Sequence, residues 1–363
     1  MASAVTATSL STPVAHRRAL YVQTAVALLM SLAIGAYFWI DSRYPALLKK
    51  LHSGKGVKIT GALSFDALLP VSASMPLFTR VWHTAANWLW TNRIGMSFGI
   101  CFGAAALTFL ATLPRRRFRS PIANTLAGAI TGVPLGVCAN CVAPIGRGLF
   151  TAGASPNTVL ATMISSPTLN VVVLAMAFSL FPIKIALVRL AVPLVLIALV
   201  PLIVRRSAAT DPEVCSVPNP DGWLQPAGTT LTTYLRHLGR LALATIPLMI
   251  LAAFLGALVA ELLPAQNLPT QVSLLGIILI AFVGTFLPVP MAFDVAAAFI
   301  LMSRGVPMPY VVTLLCTLGA FGIYPFLILG RTISWRTAAL VFGAVMLLGA
   351  TAGIGTALAQ GGL

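Results

Sequence analysis

The sequence predicts an all-α polytopic membrane protein of two inverted repeats. Each repeat carries a broken re-entrant hairpin, and the whole has about seven spans plus the two hairpins. Three observations predict it. Apolar residues make up 58% of the 363 and charged residues 8%, with a mean hydropathy of +0.96, whereas a soluble domain carries about 25% charged residues. Apolar runs recur along the chain, several close to the ~20 residues a helix needs to cross a bilayer. Two runs, in corresponding places of the two halves, are interrupted by proline, glycine and polar residues, a pattern that marks a transporter's binding region at a repeat interface.

Residues 1–19 are small and polar and end in His16-Arg17-Arg18, which reads as a cytoplasmic tail. Residues 20–40 match a full span and end in Tyr37, Phe38 and Trp39. They are expected to be a retained anchor rather than a cleaved signal. Residues 41–93 are polar, with Lys49, Lys50, Lys55 and Lys58, and are placed outside the cytoplasm. Their last part, from Arg80 to Arg93, holds Trp82, Trp88 and Trp90 and is expected to lie as a helix at the interface,. The first permease repeat, 94–206, has a span at 94–113, a hairpin at about 121–152, and spans at 156–181 and 183–204. Residues 207–238 form a cytoplasmic linker rich in proline, serine and threonine. The second repeat, 239–359, follows an amphipathic lead-in at 231–240. It has a span at 241–263, a hairpin over 271–303 broken at Pro288-Val289-Pro290, and spans at 307–329 and 335–358.

The formal charge of +16 comes from 23 basic and 7 acidic residues. The bases lie mainly beside the apolar runs, where they set orientation rather than mark a nucleic-acid partner. If the broken stretches re-enter, then Arg115, Arg116, Arg117, Arg119, Arg205, Arg206, Arg236, Arg240, Arg331 and Arg336 all fall inside, and the halves are inverted. If the stretches cross, Arg205, Arg206 and the linker fall outside, against the positive-inside rule. The halves share a register of 152 residues: Gly132 with Gly284, Gly153 with Gly305, Ser155-Pro156 with Pro307-Met308, and Ser165 with Thr317.

The segment from Val133 to Asn170 carries Pro134, Pro144, Pro156 and Pro167, so no unbroken helix fits it. Broken backbone at membrane depth survives where protein or a water-filled cavity satisfies it, so this stretch is the candidate substrate path. Cys138 and Cys141 can present thiolates to a soft solute such as a trivalent arsenical or Cu(I), or serve as small residues in helix packing. The five cysteines are scattered and form no disulfide framework,. His16, His52, His83 and His237 are placed outside the spans, so no metal site and no cofactor is expected. Asn140, Ser165, Ser166 and Asn170 can bind a solute or satisfy freed backbone groups, and Ser165 and Ser166 read equally as packing serines. Pro144 is expected to open the second half-helix, whose positive end then faces the break. Arg147 is a candidate anion contact, or else it snorkels to the interface. Asp294 stands deep in the run AFDVAAAFIL. A carboxylate there defaults to function, and desolvation should raise its pKa so that it carries a proton. It is expected to lie near Cys138–Pro144, or else to cap the second half-helix.

Cys138, Pro144, Gly153-Ala154-Ser155 and Ser166-Pro167-Thr168-Leu169-Asn170 follow one another in the order of a known signature. The sequence resembles the predicted-permease family that includes the arsenic-resistance permeases for trivalent organoarsenicals. The likeness covers most of 81–206 and the second half in outline. It departs at the cysteines, where the family's Cys-x-Cys-Gly is replaced by Cys138-Ala139-Asn140-Cys141. In the second half the family's Gly-Pro-Ala-Thr-Asn is replaced by the stretch from Val289 to Asp294. The resemblance implies a multi-pass secondary transporter of the inner membrane that exports a small solute, such as a trivalent organoarsenical. A Cu/Zn-type ion exporter or a permease for small sulfur compounds are alternatives, and a non-transporting membrane scaffold is an alternative of another class. The expected partners are a small-molecule or ion substrate and the lipid bilayer. No Walker A pattern, serine–histidine pair, paired aspartates or His-Glu-x-x-His is present, so no enzyme is expected.

Overall fold

Serine and asparagine side chains open many of the helices of this chain. In a computed structural model, Ser120, Ser155, Asn170, Ser273 and Ser334 each accept a backbone N–H of the first helical turn, which satisfies donors that a helix leaves without a partner. The structure describes residues 13–45, 68–72, 74–112, 118–207, 225–262, 271–290 and 292–360. Most of the expected linker, with Cys215, lies outside the described residues, as do Lys49, Lys50, Lys55, Lys58, His52 and Arg115–Arg117.

Among the described residues the structure is helical, without strands. The first half contains α1 (Pro13–Phe38), α2 (Leu77–Ala111), α3 (Pro121–Leu135), α4 (Ala139–Thr151), α5 (Pro156–Thr168), α6 (Val171–Leu180) and α7 (Ile183–Ser207). The second contains α8 (Gln225–Leu262), α9 (Leu274–Phe286), α10 (Phe293–Ser303), α11 (Met308–Thr317), α12 (Ile323–Thr332) and α13 (Trp335–Ala359). Five of these, α1, α2, α7, α8 and α13, contain stretches long and apolar enough to cross a membrane, and α5 with α6 makes a sixth if the bent pair is one span. The chain is therefore a multi-pass membrane protein.

The elements recur in order. Pro156, Val171 and Ile183 open α5, α6 and α7, and residues 152 positions later, Met308, Ile323 and Trp335, open α11, α12 and α13. Packing recurs as well: α3 lies on α5 as α9 lies on α11, and α5 on α7 as α11 on α13. Gly132 and Gly284 show why glycine is needed at matching places. A Cβ on Gly132 would collide with Ser165 Oγ and stand 2.8 Å from the Thr162 carbonyl oxygen, and one on Gly284 would collide with Thr317 Oγ1. Small residues let helix backbones approach where no water drives them together.

Several expectations change. The interfacial helix at 80–93 is the first part of α2, which runs on unbroken for 35 residues, about 50 Å. Its start is tied to the end of α8: Arg80 Nε lies 2.9 Å from Glu261 Oε2, and Thr84 Oγ1 donates to Glu261 Oε1 at 2.9 Å. The lead-in at 231–240 likewise belongs to a continuous α8 of 38 residues. His237 is thereby within a span-length helix rather than outside it, 5% exposed, with its Nδ1 3.0 Å from Thr108 Oγ1. The stretches 156–181 and 307–329 were expected to be continuous. Each is two helices, interrupted at Leu169-Asn170 with a bend of 42° and at Leu318–Gly322. In the first, Asn170 turns its side chain onto the N–H of Val172 and starts a new helix. In the second, Gly319 adopts φ +77°, which L-residues avoid.

Candidate functional site

Among the described residues, four interruptions break the apolar runs: between α3 and α4, between α5 and α6, between α9 and α10, and between α11 and α12. Breaking a helix frees backbone donors and acceptors, and here side chains of neighbouring helices meet part of that need. The Val137 N–H donates to Ser166 Oγ at 3.3 Å, and the same hydroxyl lies 3.4 Å from the Val137 carbonyl oxygen. Asn140 Nδ2 donates to the Val289 carbonyl at 3.0 Å, across 149 residues of sequence. Trp88 Nε1, from α2, donates to the neighbouring Pro288 carbonyl at 2.6 Å. Gly322 packs against Leu287 and Pro288. The breaks of the two halves thus meet through Asn140.

Each sequence-derived candidate has a definite place. Asn140 is fully buried, and its Oδ1 has no partner. Ser166, in the last turn of α5, bonds both backbone groups of Val137 in the first interruption, whereas Ser165 donates to Thr162 O at 3.5 Å under Gly132. Asn170 caps α6. Pro144 does not open the second half-helix: α4 begins at Ala139 with Cys138 as its cap, and Pro144 lies inside it. Having no N–H, Pro144 gives nothing to the carbonyl of Asn140 four residues before it. Arg147 is partly exposed and stands about 10 Å along the helix from Asn140, two turns from the tip. Cys138 and Cys141 are joined in a disulfide with Cα atoms 5.1 Å apart, and they are 4% and 2% exposed. In this form neither presents a thiolate, which corrects the expectation of free thiols at these two positions. The spacing explains the pairing: a capping residue and the third residue of the same first turn lie side by side.

Asp294 is not alone. Arg189 of α7 donates through Nη2 to Asp294 Oδ2 at 2.8 Å, and the two residues are 0% and 3% exposed. Nor is Asp294 a helix cap: Ala292 holds that position at φ 65°, with no side-chain bond to the helix start. The Gly319 backbone lies against the carboxylate, where a Cβ would stand 3.3 Å from Cγ. Thr168, Pro193, Leu196, Cys316, Ala320 and Val345 are among the residues that close around Arg189, and the gap between them has no room for a water molecule. Arg189 Nε and Nη1 have no partner. Pro193, four residues on, also leaves the Arg189 carbonyl without its helical bond.

Sequence reasoning passed over Arg189. The same signal that exposed Asp294, a single charge within an apolar run, was present in IALVRLAVPLVL. An arginine seven residues into a span reads as snorkelling, and only the position of Asp294 shows otherwise. A cavity of about 760 Å³ lies elsewhere, among α1, α2 and the first hairpin. Leu28, Phe102, Phe109 and Leu149 are among its walls, and it carries no titratable group. Among the described residues no three histidine, cysteine or acidic side chains come together as a metal site.

A family model described as a predicted permease matches residues 106–356. UPF0718 protein YraQ of Escherichia coli (strain K12) is 27% identical over 248 residues, covering 67% of this chain and 70% of that protein. No solved structure matches.

Proposed function

The chain belongs to the predicted permease family, and from that premise we propose that it is a secondary transporter of the inner membrane, moving a small solute through the place where the four interruptions meet. The observation that carries this reading is the Asn140–Val289 hydrogen bond, which joins the broken backbone of one half to that of the other. Discontinuous helices meeting at a repeat interface leave polar groups facing a solute rather than lipid, and Asn140 Oδ1 is such a group. The orientation of the halves belongs to the same proposal. Arg80 near the start of α2 meets Glu261 at the end of α8, so these corresponding helices run antiparallel. That supports inverted repeats with hairpins entering from opposite sides.

A resistance and uptake screen over arsenicals, copper, zinc and small sulfur compounds identifies a solute, and flux in proteoliposomes then tests the path. Asn140→Ala should lose most of that flux while remaining folded. Unchanged flux in this variant would remove the path from the interruptions.

A second reading is favoured by the position of Cys138 and Cys141 beside Asn140: export of a thiophilic solute such as a trivalent organoarsenical, with the pair reduced. It requires that a membrane-permeant dithiol raise the flux and that Cys138→Ser abolish it. Equal flux with and without reductant would end this reading.

A further inference from the structure

We propose that Arg189 is the binding subsite for a small oxyanion, and that Asp294 occupies it as an internal counter-ion until the solute displaces it. The inference rests on the permease reading for the use of the site and names the class of solute.

A guanidinium offers five donors in a planar fork that matches an oxyanion two bonds at a time. Nη2 lies on both bidentate edges of that fork, and in this structure it holds one carboxylate oxygen of Asp294. Nε and Nη1, on either side, have no partner although Arg189 is 0% exposed. A pair that served only to hold helices together would satisfy its remaining donors, because buried donors left open are costly. The residues closed around Arg189, among them Thr168, Pro193, Cys316 and Val345, carry no second charge and leave no room for a solute while Asp294 is in place. The site therefore holds a fixed cation with spare donors and one removable anion. In place of Asp294, a bidentate oxyanion takes Nη2 together with Nε or Nη1, one donor more than Asp294 engages. A cation meets an arginine there, and a neutral solute has no charge with which to replace the carboxylate.

The two members of the pair sit on different parts of the fold. Arg189 is in the long helix α7, and Asp294 is in the first turn of α10, in the second hairpin. Next to Asp294 are two backbone positions outside the common regions, Ala292 at φ 65° and Gly319 at φ +77°. Gly319 adopts its conformation freely, whereas Ala292 is strained, and strained residues occur where a segment is held in place and can switch. Withdrawal of the hairpin removes the counter-ion and leaves the guanidinium with its fork open.

The test uses the full chain in detergent, titrated with sodium sulfate, phosphate or formate against sodium chloride at matched ionic strength, with the unfolding midpoint as readout. Wild type should show a saturable rise with at least one oxyanion. Asp294→Asn, which removes the competitor, should bind it about tenfold more tightly, within the usual range of coupling between sites. Arg189→Gln combined with Asp294→Asn removes both charges together and should show no saturable rise. No gain of affinity in Asp294→Asn, or an undiminished rise in the double variant, overturns the proposal. If the double variant does not fold, Arg189→Lys replaces it: this keeps the charge and loses the fork, and wild-type affinity there is equally fatal. Flux separates this proposal from the permease reading. Solute flux that persists in the double variant sinks the oxyanion subsite alone, while oxyanion binding as expected in a protein that moves no solute in vesicles sinks the permease reading alone.

Discussion

Arg189 and Asp294 form an ion pair buried on both sides. Removing one charge leaves the other buried and unpaired, which costs about 3–5 kcal/mol in pairs of this kind. Arg189→Ala and Asp294→Ala should therefore each lower the unfolding midpoint sharply. Changing both to the neutral amides together should recover most of the loss, as measured by thermal unfolding in detergent. Additive losses in the double variant would show that the two do not act as a pair. The disulfide makes a second prediction at this scale. After unfolding and alkylation, the peptide carrying Cys138 and Cys141 should take no label without reduction and two labels after it, read by mass. Label without reduction would show free thiols. Asp294 was legible in the sequence because acids are scarce in this chain, so one within an apolar run stands out. Arg189 was not, because arginines are plentiful beside the spans and its partner stands 105 residues away. The pairing of Cys138 with Cys141 was not legible either: a cysteine pair three residues apart reads equally as two thiols until the helix start is located.

Among elements, the glycine contacts decide whether the hairpins can seat. Gly132→Ala drives a methyl into Ser165 Oγ and the Thr162 backbone, while Gly284→Ala meets chiefly the side chains of Thr317 and Leu314. Each should cost on the order of 1–3 kcal/mol. Adding Thr317→Ala should rescue Gly284→Ala well, whereas Ser165→Ala should rescue Gly132→Ala poorly, because the Thr162 carbonyl cannot yield. Unfolding midpoints of the four variants check this, and equal rescue at both sites would contradict the geometry. The sequence register of 152 residues, read from Gly132 with Gly284 and Ser165 with Thr317, describes these contacts correctly. The breaks at Leu169-Asn170 and Leu318–Gly322 were hidden for a physical reason. Each is short, lies in a run apolar enough to span, and is signalled by residues that also occur in packed helices. The 80–93 segment misled in the opposite direction, since three tryptophans at an interface look alike whether the helix stops there or continues inward.

For the whole molecule, the proposed orientation places both 119 and 215 in the cytoplasm. Reporter fusions after each should report that compartment, and a periplasmic signal at 215 would require the first hairpin to cross. The Thr24–Thr112 hydrogen bond, 3.0 Å, and the Arg80–Glu261 pair are consistent with α1 and α8 both running opposite to α2. The buried pair also bears on how the protein is made. Arg189 leaves the ribosome 105 residues before Asp294, and at about 5–20 residues per second α7 must wait roughly 5–20 s with a lone guanidinium. Held in the bilayer during that interval, it would cost about 2.5–3.5 kcal/mol on insertion scales. α7 is the most apolar of the five candidate spans, which offsets that cost while the second half is still being synthesised. The charge that the finished protein keeps neutral is thus carried first by hydrophobicity and only later by its counter-ion, so substitutions that make α7 more polar should fail during biosynthesis even where the mature fold would tolerate them.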